Sequence, residues 1–227
     1  MTWPSGARLT GVADWVDTRW RWANQRLGAQ GWKVQFTEPE DSERAKLLTR
    51  SWDLHWPDSE PLGWVLRQNW PDRWVRFHSL PGSKRYADTE DERAEILRRH
   101  RTVLADLHGS DAADLLVIST QWGIPAPNHA PFDPDGAWPW RIVLNPLDRE
   151  AGPIYCWVQS EVDEQALNAI LLNAADDKGQ FVIADKGLSW LYCPYDGGAD
   201  VLVGGPEERD SLRDRYSDWL SALESGL

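Results

Sequence analysis

Val12, Val16, Trp20, Ala23 and Leu27 recur at the helical period, with Thr10 placed to cap the first turn and Gly28 near the end. Trp32 to Phe36 alternates like a short strand, and a short helix is predicted around Ser42 to Trp52, followed by a loop. Trp74-Val75-Arg76-Phe77-His78 again alternates and breaks at Pro81-Gly82. The clearest helix comes next. Thr89 and Glu92 form a capping box; Asp88, Glu90 and Asp91 complement the positive end of the dipole. Ile96, Leu97, His100, Val103, Leu104 and Leu107 share one face, and Gly109 ends it.

The second half reads mostly as strands: Asp114 to Thr120, Trp140 to Leu144, Ile154 to Val158 and Gln180 to Ala184, with a helix from Asp163 to Ala174. A Pro-rich loop from Gly123 to Pro139 separates the first two strands. A hairpin is predicted with arms Leu188 to Cys193 and Ala199 to Val203, turning over Pro194 to Gly198. Pro206 opens the last helix, whose inner face is Leu212, Tyr216, Trp219 and Leu220.

This order predicts an α+β fold: a mixed, largely antiparallel sheet with helices packed against it, plus a Trp-rich helical N-terminal part. Residues 1–60 form the Trp-rich segment, packed on a core of residues 61–227, in one cooperative domain. The expected core includes Ile96, Leu97, Val103, Leu104, Leu116, Ile118, Val143, Trp157, Ile170 and Trp219, with His100 as a structural histidine.

Composition changes the picture in three ways. Ten of the 16 tryptophans precede residue 76. Trp suits either a recognition surface or a core, and the arginine excess over lysine suggests a GC-rich coding bias that favours the core reading. The formal net charge of −12 disfavours nucleic acid and suits a basic protein partner. The start of the chain has no basic region followed by an apolar run, so a cytoplasmic protein is expected, with no membrane partner. In that compartment Cys156 and Cys193 are reduced, buried thiols.

Two segments concentrate polar chemistry. His78, Ser83, Lys84, Arg85 and Tyr86 combine cations with hydroxyls and could hold an anion or a partner, or could be a structural corner. Gly82-Ser83-Lys84 lacks the earlier glycine of a phosphate loop. Tyr195, Asp196 and Asp200 belong to the hairpin, where Asp196-Gly197 is explained by a tight turn needing positive φ. Lys84 and Arg85 sit in a basic stretch and Asp196 and Asp200 in an acidic one, so the two segments are expected to meet. No familiar catalytic set, metal-ligand spacing or cofactor fingerprint is complete, so no catalytic residue, metal or cofactor is assigned. His129 and His55 fall in predicted loops.

The block His78-Ser79-Leu80-Pro81-Gly82-Ser83-Lys84-Arg85-Tyr86 resembles bacterial proteins carrying H-S-L-P-x-S-K-R-Y. Tyr195 to Val201, followed by Tyr216 to Trp219, is similar to the close of a bacterial domain of unknown function with Y-D-D-R-G-x-D and then Y-x-x-W. Gly197 and Gly198 stand where that pattern has an acid and an arginine, so no site built on those two side chains carries over. The resemblance implies an immunity-protein-like role. Two functions stay open: an acidic protein-binding module, of the immunity type toward a basic toxin, or a small enzyme or anion binder using the His78–Tyr86 loop.

Overall fold

The computed structural model describes residues 42–108, 115–122, 136–144 and 153–221. The predicted helix from Thr10, the strand at Trp32 to Phe36 and His129 lie outside them. Helix α1 (Glu43–His55) starts where Ser42 Oγ accepts the Ala45 N–H at 3.2 Å, and α2 (Gly63–Asn69) follows. Strand β1 (Trp74–His78) leads through a tight turn into α3 (Glu90–His108), where the Glu92 N–H donates to Thr89 Oγ1, one half of the capping box, while the Glu92 carboxylate accepts the Asp88 N–H rather than that of Thr89. Then come β2 (Leu115–Trp122), β3 (Trp138–Leu144), β4 (Pro153–Ser160), α4 (Glu164–Ala175), β5 (Gln180–Asp185), β6 (Leu191–Tyr195), β7 (Gly198–Leu202) and α5 (Pro206–Arg215).

The seven strands form one sheet in the order β1-β7-β6-β5-β2-β4-β3, and every neighbouring pair is antiparallel. Alternation along each strand sends side chains to two faces, and both are covered. On one, Phe77, Val117, Ile183, Tyr192 and Val201 pack against Val103 and Leu104 of α3, Ile170 of α4 and Leu212 of α5. On the other, Ile118, Val182, Leu191 and Leu202 pack against Leu48 and Trp52 of α1 and Leu66 of α2. Strands covered on both faces lose their polar alternation, which is why β7 is buried throughout.

Tryptophans build the α1 side. Trp52, Trp56 and Trp140 are fully buried, and each indole N–H finds an oxygen: Ser59 O at 2.7 Å, Leu188 O at 2.9 Å and Thr49 Oγ1 at 3.0 Å. Of the expected core, Ile96, Val103, Leu104, Ile118, Val143 and Ile170 are buried. Leu97, Leu116, Trp157 and Trp219 are only half-buried. Trp219 lies on the Ser217–Trp219 turn after α5, stacked on Tyr216 with ring centroids 4.7 Å apart and with the Arg98 and Arg99 guanidinium groups over its ring. His100 is buried, its Nδ1 sits 2.6 Å from the Tyr192 hydroxyl, and burial lowers its pKa to about 4. Cys156 and Cys193 are free, buried thiols. No described helix is long and apolar enough to cross a membrane.

Candidate functional site

The two polar segments meet. β1 runs antiparallel to β7 with His78 opposite Gly198, and the Ser79 N–H donates to Gly197 O at 3.1 Å. That pairing places the loop after His78 beside the hairpin turn. Gly82 and Ser83 then take left-handed conformations (φ 66° and 57°) and reverse the chain toward α3. Arg85 Nη2 lies 2.5 Å from Asp196 Oδ2, and the Tyr86 hydroxyl donates to the same oxygen at 2.7 Å. Burial pushes the Asp196 carboxyl up, but the hydrogen bonds from Arg85 and Tyr86 and the Arg85 charge outweigh it and hold it below its ordinary value.

Lys84 departs from the expectation. Its ammonium turns away from the hairpin to Glu92 Oε1 at 2.5 Å and Asp88 Oδ2 at 2.8 Å, where it ties down the capping box of α3. The carboxylates at the start of α3 are nearer to Lys84 in the chain than the hairpin is, and local pairing wins. Asp200 likewise pairs with neither Lys84 nor Arg85. It faces Arg76 across the β1–β7 ladder in a bidentate pair (2.7 and 2.9 Å), and its Oδ1 also accepts the Trp74 indole N–H at 2.9 Å. Arg76 stacks 4.6 Å from the Tyr195 ring centroid. Burial, then the Asp200 and Asp196 charges against that of Arg76, raise the Tyr195 phenol to about 12.

The hairpin also differs from its expected chemistry. Neither Asp196 nor Gly197 has positive φ. The glycine that is sterically required is Gly198, where a Cβ would sit 1.9 Å from Phe77 O. Pro194, placed in the turn by the sequence, is instead a buried residue of β6, a strand paired on both sides. A proline there cannot donate to a neighbour. β6 pairs with β5 only at Ile183–Tyr192 and Ala184–Leu191, while β5 keeps its pairing with β2 as far as Gln180. Beyond Tyr192 the two strands diverge and leave a cavity of about 270 Å³ in the sheet. Tyr195, Asp196 and Asp200 line it, together with Arg67, Arg76 and Trp64.

Sequence-predicted residues therefore divide into three groups. Tyr195, Asp196 and Asp200 line the cleft; Arg85 and Tyr86 reach it through Asp196; His78, Ser83 and Lys84 do not line it. His78 shares a strand with Arg76, but both its ring nitrogens are buried without a protein hydrogen-bond partner. Burial and the nearby Arg76 and Arg99 charges lower its pKa, against the Gly197 carbonyl, which favours the protonated ring. Arg67 and Trp64 escape a reading of the sequence because α2 carries no motif. Arg76 reads there only as a strand residue, though an arginine inside an alternating apolar strand signals a buried partner. No group of three or more metal-ligating side chains occurs among the described residues.

A family model described as Domain of unknown function (DUF3885) matches residues 62–224, which include the cleft, β1 and the hairpin. No curated protein and no solved structure matches the chain.

Proposed function

We propose that this chain, which belongs to the DUF3885 family, is an acidic protein-binding module. The observation that carries the reading is how its charges are disposed. Arg76, Arg85, Arg93, Arg99, Arg141 and Lys84 are all engaged by carboxylates of the chain itself. Surplus carboxylates face out. Asp72, Glu207, Asp214 and Asp218 are exposed on α5, the turn after it and the Pro71–Arg73 turn that packs on α5; none makes an ion pair among the described residues, and Arg213 opposes them. Such a face attracts a basic protein and repels nucleic acid. In its finer form the proposal is an immunity-type partner that neutralises a basic toxin in the cytoplasm. An anion site on the His78–Tyr86 loop is the weaker reading, because an anion would have to displace carboxylates already bound to Lys84 and Arg85.

The test uses a fluorescent oligo-arginine peptide as the basic probe, with anisotropy read at low and high ionic strength. Glu207→Lys, Asp214→Lys and Asp218→Lys together should abolish salt-sensitive binding. The same three reversals at Glu43, Asp58 and Asp91 should leave most of it. Equal losses from the two sets would mean a diffuse field rather than a binding face, and would sink the reading. Co-expression with a basic protein toxin tests the finer form through cell survival.

A further inference from the structure

The cleft between β5 and β6 is separate from the α5 face, and its lining is chemically polarised. On the α2 side stands Arg67. Its Nη1 is 3.6 Å from Asp200 Oδ2, too far for a hydrogen bond, and its side chain is about a quarter exposed. Asp200 Oδ1 accepts from Arg76 and Trp74 and Oδ2 from Arg76, so Arg67 is held to Asp200 only by a long ion pair. Arg67 donates no hydrogen bond within the described residues, which leaves a planar fork of donors at the cavity wall.

The other wall is anionic. Asp177, in a left-handed turn (φ 56°) after α4, is exposed and makes no ion pair among the described residues, although its charge reaches Arg85 and Tyr86. Asp196 lines the same wall. Between these ends the cavity is walled by Trp64, Phe181, Pro194 and Tyr195. A guanidinium at one end, carboxylates at the other and rings between them complement a molecule with an anionic head, a cationic head and an apolar body.

The cavity, about 270 Å³, falls just under the range of about 300–1,000 Å³ typical of drug-sized ligands, which suits a small molecule. We infer that the cleft opened by Pro194 binds a small apolar zwitterion, an α-amino acid, with its carboxylate on Arg67 and its ammonium on Asp177 and Asp196.

Calorimetric titration of the full chain with L-phenylalanine and L-leucine tests this directly. At least one should bind saturably. L-phenylalaninamide, which lacks the carboxylate, and N-acetyl-L-phenylalanine, which lacks the ammonium, should each bind about tenfold more weakly or worse, the scale of one lost charge-assisted hydrogen bond. Arg67→Gln should lose a similar factor with its thermal midpoint unchanged, and Asp177→Asn should weaken the amino acid but not the N-acetyl form. If neither amino acid saturates at millimolar concentration, or if the capped forms bind as well as their parent, the cleft is not a zwitterion site. The ligand comparison uses the unaltered chain, so it decides the matter even where a variant fails to fold. The α5 charge reversals should not move amino-acid affinity, so this inference and the proposed protein-binding role fail independently.

Discussion

Arg76 lies directly across the β1–β7 ladder from Asp200, and the two side chains share parallel hydrogen bonds of 2.7 and 2.9 Å. Asp200 is 5% exposed, so losing Arg76 would leave a buried side chain without its bidentate partner. Arg76→Ala should cost about 3–5 kcal/mol, as for other buried pairs broken from one side. Arg76→Met with Asp200→Leu should recover part of it, because the buried carboxylate goes with its partner while the Trp74 N–H loses its acceptor. Urea midpoints measure both. A single-variant loss under about 1 kcal/mol would mean that Arg67 swings in to replace Arg76.

The Arg85–Asp196–Tyr86 contact is predicted to be structural. Arg85 is well exposed, so Arg85→Ala should lower the thermal midpoint only modestly, and any partner affinity should fall no further than folding does. The Asp196 carboxyl is held below its ordinary value, so its contribution is complete above the ordinary carboxylate range and is lost as pH falls through the folded value. Asp196→Asn should flatten that part of the acid limb. An Arg85→Ala variant that melts like the parent yet loses partner affinity would assign Arg85 to the partner site.

His100 makes stability depend on pH nearer neutrality. Its pKa is about 4 in the folded chain, against an ordinary 6.5. Between these values the unfolded chain binds the extra proton, so stability rises with pH and is complete above about 6.5. Moving from pH 7.5 to pH 5 should therefore remove about 2 kcal/mol through this residue alone. His100→Gln should flatten the slope in urea melts, and an unchanged slope would show that other groups carry it.

Gly198→Ala should be among the most damaging single methyl additions in the chain. Its Cβ would meet Phe77 O at 1.9 Å, and neither strand can retreat without breaking the β1–β7 ladder. A loss of about 3 kcal/mol or more is expected. Gly205→Ala, with nothing within 4 Å of the added carbon, is the control and should cost only about 1 kcal/mol, the scale of a weakened N-cap of α5.

Local signals read well from the chain. The Thr89 half of the capping box, the Ser42 start of α1 and the periodicity of α3 depend on neighbours within a turn or two, and all three stand in the structure. The meeting of Arg85 with Asp196 follows from charge. Lys84 cannot be placed that way, because choosing between two sets of carboxylates needs their distances. Pro194 reads as a turn residue because proline is rare inside sheets; only the position of β5 shows that the ladder simply stops there. The cleft is thus a property of a missing pairing, and a chain of letters does not mark where a pairing is missing.

β1 pairs with β7 and with no other strand among the described residues, and β7 begins about 120 residues later in the chain. At a synthesis rate of about 5–20 residues per second, the ribosome needs on the order of ten seconds between the two. Throughout that interval Val75 and Phe77 have no sheet to join, and Arg76 has no Asp200 to neutralise it. A nascent chain stalled before residue 198 therefore displays an unpaired apolar edge bearing an uncompensated cation, a shape suited to holding by a chaperone. The last described strand is the one that retires it.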